Sequence, residues 1–206
     1  MKNVCRMPAV SPHLLKAFTV PLLLVVAFSA RATIFEYYAN LNGPSESPAN
    51  TSLATGFGVI DYNDTLHTLA LNFSWSGLQG TTTASHIHAA TTTPLSGTAG
   101  VATTTPYFAG FPIGVTSGSY ANTLDLTLAS SWNNSYITAN GGTTASAESA
   151  LAAAMASGRA YLNIHSTVYG GGEIRGFLVV PEPSSLALFG VGACGALAYR
   201  ARGRRR

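Results

Sequence analysis

The chain has 206 residues, 47% of them hydrophobic, and a formal net charge of +3, enough for one ordinary domain with its own core. Its cations sit at the ends: Lys2, Arg6, Lys16 and Arg31 in the first 31 residues, and Arg200, Arg202, Arg204, Arg205 and Arg206 in the last seven. Residues 33–180 hold only Arg159 and Arg175 against seven acids, a net −5, and that sign argues against binding a phosphate backbone or any nucleic acid. The two cysteines, Cys5 and Cys194, lie in terminal segments, so the central domain has neither a disulfide framework nor thiol chemistry.

Residues 1–32 read as a secretory signal peptide. A basic leader precedes an apolar stretch over 17–29, interrupted by Pro21. Ala30-Arg31-Ala32 then offers small side chains at the two positions read by signal peptidase, which predicts cleavage after Ala32. Export machinery and signal peptidase are the partners this end implies.

Residues 33–180 form the expected folded domain. Short runs of period-two alternation are separated by Gly, Pro, Asn and Thr clusters. Strands are predicted over 34–41, 54–62 and 66–76, the last with Leu69, Leu71, Phe73 and Trp75 on one face. Further strands are expected over 84–89, 100–108 and 123–129. Residues 144–157 are rich in helix formers and end at Gly158, which predicts one helix. A strand–loop–strand unit over 159–165 and 173–180 closes the domain. About seven or eight strands with one short helix suggest an all-β, antiparallel Greek-key β-sandwich.

After Pro181-Glu182-Pro183 comes an apolar stretch over 184–199 and then an arginine-rich end. As a helix that stretch is about 24 Å long, short of a roughly 30 Å hydrocarbon core unless flanking arginines snorkel. The positive end should stay cytoplasmic and leave the domain outside. This tripartite end, 181–206, resembles the PEP-CTERM sorting signal. The resemblance implies processing by an exosortase in a Gram-negative bacterium, membrane attachment through the C-terminal helix before processing, and a place in the cell envelope, surface or exopolysaccharide matrix. A permanent single-span anchor is the plainer alternative.

Three stretches carry a second resemblance. Ala84-Ser85-His86-Ile87-His88, Ala160-Tyr161-Leu162-Asn163-Ile164-His165 and Gly171-Gly172-Glu173-Ile174-Arg175-Gly176 are similar in order and spacing to the CHRD domain, named after chordin. The opening strand and the Gly43 to Pro48 turn resemble the family's start. The resemblance implies a β-sandwich and leaves biochemical activity open.

Period two places His86 and His88 on one side of a strand, and Tyr161, Asn163 and His165 on one side of another. With Ile87, Leu162 and Ile164 in the core, the three histidines face away from it. The turn after His165 can bring Glu173 beside that imidazole. His86, His88 and His165 could therefore hold Zn²⁺ or Cu²⁺. The alternative is a structural polar cluster, with Glu173, Arg175 and Asn163 in supporting or structural roles, and the sequence favours it. A cationic Arg175 nearby also opposes a metal ion. A dinuclear copper–zinc centre needs more histidines than the four that follow the signal. His67 reads as a boundary residue, and Trp75 and Trp132 as core anchors.

No paired catalytic carboxylates, nucleophile elbow, phosphate loop or zinc-protease motif is present in the sequence. The leading expectation is a non-enzymatic, surface-sorted module without a cofactor, whose partners are matrix polysaccharide or surface protein. The alternative is an extracytoplasmic metal-binding protein.

Overall fold

The computed structural model describes residues 33–181. The expected signal peptide, and the sorting tail beyond Pro181 with its helix, lie outside the described residues. Among the described residues no helix is long and apolar enough to cross a membrane.

Seven strands form in chain order: β1 (Ile34–Asn42), β2 (Thr55–Asn63), β3 (Thr68–Ser76), β4 (Thr82–His88), β5 (Gly118–Asp125), β6 (Tyr161–Ser166) and β7 (Ile174–Phe177). Two helices, α1 (Asn134–Ala139) and α2 (Thr144–Ala156), lie between β5 and β6. All pairings are antiparallel, in the order β4-β6-β7-β1-β2-β3-β5. The all-β antiparallel expectation holds, and the seven strands run as one continuous sheet that curls on itself. Gly58 on β2 shows the curl. A Cβ there would lie 3.4 Å from Leu162 on β6, although β7 and β1 separate the two strands in the sheet.

The core fills this curl. Tyr37, Ala39 and Leu41 of β1 meet Ile60 of β2 and Leu69, Leu71, Phe73 and Trp75 of β3, all buried. Ile87, Leu162, Ile164 and Ile174 close the other side with no exposed surface. Phe73 is the hub of an aromatic group, its ring centroid 5.4–6.3 Å from those of Tyr120, Trp75, Phe111 and Phe108. Burial of such rings dominates core energetics.

The 144–157 helix is present as α2. Thr143 caps it, accepting from Ser146 N–H while Ser146 Oγ receives the Thr143 N–H in return. α1 was not expected; it is one short turn started by Asn133, whose side chain accepts from Ser135 N–H. The strand predicted over 100–108 is absent. Val101 bridges only to His88 and Thr103 only to Trp132, and the segment crosses over the end of β4. Thr103 Oγ1 accepts the Ile87 N–H at 3.0 Å, replacing a ladder bond with a side-chain bond.

Candidate metal centre

β4 and β6 are hydrogen-bonded neighbours, with Ala84 opposite His165, His86 opposite Asn163 and His88 opposite Tyr161. Period two puts all six on one face, while Ile87, Leu162 and Ile164 enter the core. The next strand continues that face: Arg175 of β7 stands opposite Asn163, and Phe177 opposite Tyr161. This layer is not open to water. His86 is 6% exposed and His88 8%, with the 97–108 segment bonded over them and the 43–50 turn over Asn163 and Arg175; His165 is half-buried.

Each histidine is oriented by a backbone carbonyl. His86 Nε2 bonds Pro106 O at 2.6 Å, His88 Nδ1 bonds Ala99 O at 2.9 Å, and His165 Nδ1 bonds Gly170 O at 3.0 Å. A carbonyl only accepts, so each of these ring nitrogens carries the proton and the other presents a lone pair. The remaining three nitrogens, His86 Nδ1, His88 Nε2 and His165 Nε2, are buried and have no hydrogen-bond partner. One nitrogen from each ring lies within 4.8 Å of the other two. Nitrogens sharing one ion at about 2.0–2.1 Å stand about 3.3–3.5 Å apart, so a modest inward turn of the rings closes the site.

Burial keeps these imidazoles neutral. It lowers His86 to about 4 despite the Pro106 carbonyl, with His165 adding a smaller push in the same direction. It lowers His88 to about 4 as well, helped by His165, His86 and Arg175, and it lowers His165. Neutral imidazole is the form that ligates.

Tyr161 stacks on His88 with centroids 4.8 Å apart and planes 4° from parallel. Arg175 covers Tyr161 in turn, its guanidinium carbon 4.7 Å from the ring centroid. The Arg175 side chain donates to Ser45 O and to Gly97 O, and stands 3.9 Å from Glu46 Oε2. Asn163 Nδ2 donates to Glu46 Oε1 at 3.0 Å. Burial raises Glu46 to about 7, outweighing Arg175 and Asn163. Gly172, with φ of +131°, lies so close that a Cβ would approach Asn163 Nδ2 to 2.6 Å and Glu46 Oε1 to 2.8 Å.

The structure thus brings His86, His88 and His165 together with Asn163 and Arg175 beside them, and it corrects one expectation. The histidines face away from the core as expected, His86 and His88 buried and His165 half-buried. Glu173 does not stand among them: its carboxylate, fully buried, accepts from Ser52 Oγ and Gln79 N at 2.6 Å and from Gly80 N at 3.3 Å. Its burial alone would raise its pKa, yet hydrogen bonds from Ser166, Ser52, Gln79 and Gly80 hold it lowered. The ion-pair partner of Arg175 is Glu46, which sequence reasoning missed. With two cations and seven acids in the domain, nothing in the sequence singled that acid out. His67 takes a left-handed turn conformation and bonds Glu148 of α2 at 3.0 Å, and Trp75 and Trp132 are buried in the core.

Residues 37–178 match the CHRD domain. The chain belongs to the CHRD domain family. The CHRD match covers β4, β6 and β7, the strands that carry the polar layer. Residues 179–206 match the PEP-CTERM protein-sorting motif, so this CHRD protein is exported, processed by exosortase and sorted to the Gram-negative cell envelope or surface. No curated protein and no solved structure matches the chain.

Proposed function

We propose that this CHRD domain is a non-enzymatic metal-binding module of the cell surface or exopolysaccharide matrix, holding one zinc or copper ion on His86, His88 and His165. The observation that carries the reading is that three histidines, each with one buried ring nitrogen lacking a partner, stand close enough for one nitrogen of each to lie within 4.8 Å of the others. A buried polar atom left unpaired costs about 1–3 kcal/mol, and a structural polar cluster would pair its atoms. Here each ring is paired on one side only, and the three ring centroids stand 5.3–6.0 Å apart. That is the arrangement of metal-ligating histidines, whose second nitrogen is held by a carbonyl.

The same bonds support a non-enzymatic role. With one nitrogen fixed to a carbonyl and the other on an ion, none of the three imidazoles is free to shuttle a proton. The sorting motif supports the surface location, and matrix polysaccharide or surface proteins are the surroundings the module would meet.

The test is metal content of the full chain, purified in detergent and dialysed after exposure to excess Zn²⁺ or copper, beside a His86→Ala/His88→Ala/His165→Ala variant. About one equivalent retained by the wild type and lost by the variant is expected. Equal metal in both proteins, or none in either, would leave the histidines as a structural cluster.

A further inference from the structure

The three-histidine site is unusual in what it lacks among the described residues: no carboxylate and no thiolate joins the group whose atoms lie within 4.8 Å. All three donors are neutral. The nearest fixed charge in the layer has the wrong sign for a cation, since Arg175 sits on the far face of the tyrosine that stacks on His88. Arg175 is 3% exposed, so water screens that charge little, and Glu46, 3.9 Å from it, offsets it only in part. We infer that the site is built for monovalent copper, Cu(I), in preference to Zn²⁺ or Cu²⁺. This rests on the three-histidine reading and names its ion.

Two physical arguments converge. The first is charge. The self-energy of an ion in a poorly polarisable interior grows with the square of its charge, so a dication without an anionic ligand costs about four times what a monocation does. Zinc and Cu²⁺ sites commonly offset that cost with a thiolate, a carboxylate or bound water. Here His86 and His88 are almost fully buried, and Arg175 adds repulsion that also doubles with the ion's charge.

The second is coordination number. Zinc is almost always four-coordinate, with four protein ligands in structural sites and three plus a water in catalytic ones. Here the chain supplies three, so zinc would need a water as its fourth ligand. The aromatic hydroxyl closest in register, that of Tyr161, is engaged with the Ala99 backbone at 3.3–3.4 Å. Cu(I) has a filled d shell and accepts three nitrogen donors in a trigonal arrangement, and imidazole suits copper. The carbonyls of Pro106, Ala99 and Gly170 fix the three rings from behind, which disfavours the rearrangement needed to add ligands.

The experiment is an anaerobic competition on the full chain in detergent. Protein preloaded with one equivalent of Zn²⁺ is titrated with Cu(I) delivered by a chromogenic Cu(I) chelator, with released zinc read by a zinc indicator. Cu(I) should displace zinc with an affinity advantage of about a hundredfold or more. On exposure to air the bound copper should stay silent in electron paramagnetic resonance. Zinc retained against Cu(I), or a Cu²⁺ signal accounting for all the copper, would overturn the inference and leave the three-histidine site standing. Failure to hold either ion would overturn the site itself.

A second variant tests the cause. Ala84 lies opposite His165 on the ligand face, so Ala84→Asp brings an anionic donor to the site. It should raise zinc affinity about tenfold or more and narrow the preference for Cu(I). An unchanged ratio of the two affinities in a folded Ala84→Asp protein would overturn the charge argument, and the wild-type competition decides the ion independently.

Discussion

Glu46 shows how one side chain in this layer sets a property of the whole domain. Its carboxyl is 8% exposed, and burial raises its pKa from 4.5 to about 7. A group whose folded pKa exceeds its unfolded value binds more protons in the native state, so stability falls as pH rises. The contribution is fully present below about 4.5 and is lost as pH passes through about 7. A shift of that size corresponds to at most about 3 kcal/mol. Gln at this position keeps the amide contact to Asn163 and cannot ionise. Chemical denaturation of wild type and Glu46→Gln between pH 4.5 and 8 should therefore show the wild type losing ground as pH rises. A constant difference across that range would mean that Glu46 is ionised throughout.

At the level of elements, α2 depends on its ends more than on its amphipathic pattern. Its sequence is almost all alanine and small polar residues, and only one face, with Ala147, Leu151, Ala154 and Met155, is buried. Thr143 satisfies the Ser146 N–H and so fixes where the helix begins. Thr143→Ala should cost about 1 kcal/mol, read as a lower denaturant midpoint at unchanged slope. Propensity and a terminal glycine made this helix legible in the sequence. The strands were legible where alternation was strict, as in β3, where Leu69, Leu71, Phe73 and Trp75 are all buried.

Alternation misled where side chains replaced the ladder. Residues 100–108 alternate like a strand but hang on single bridges and on the Thr103 hydroxyl, and become part of the cover over the histidines. Parity placed His86 and His88 together, and Tyr161, Asn163 and His165 together, because period two is a local rule. The register that sets Ala84 against His165 is a long-range fact that no local pattern encodes. The turn after His165 does not bring the Glu173 carboxylate to that imidazole: Gly172, at φ of +131°, turns the chain just before β7 begins. The carboxylate then points to Ser52, Gln79 and Gly80 instead of His165.

For the whole molecule, the proposed metal site implies that the histidine layer trades stability for binding. The apolar side of β4 and β6 is core, whereas the other side carries three unpartnered nitrogens under a loop cover. A bound ion supplies the missing partner only in the folded state, because the ligands come from positions 86, 88 and 165, far apart in an unfolded chain. Loading must therefore stabilise the fold by linkage, about 2.7 kcal/mol at a free ion concentration a hundredfold above Kd. For a domain of this size that is roughly 5–10 °C in Tm. His165 is the ligand nearest solvent, and its carbonyl partner Gly170 is exposed, so truncating it disturbs the unloaded protein least. His165→Ala should melt within about 1 kcal/mol of the wild type without metal, since it also removes one unpaired buried nitrogen. With saturating Cu(I) under anaerobic conditions, scanning calorimetry should show the upward shift in the wild type and its absence in the variant. An equal shift in both proteins would place the ion elsewhere, and a large loss in the unloaded variant would make His165 a structural residue first.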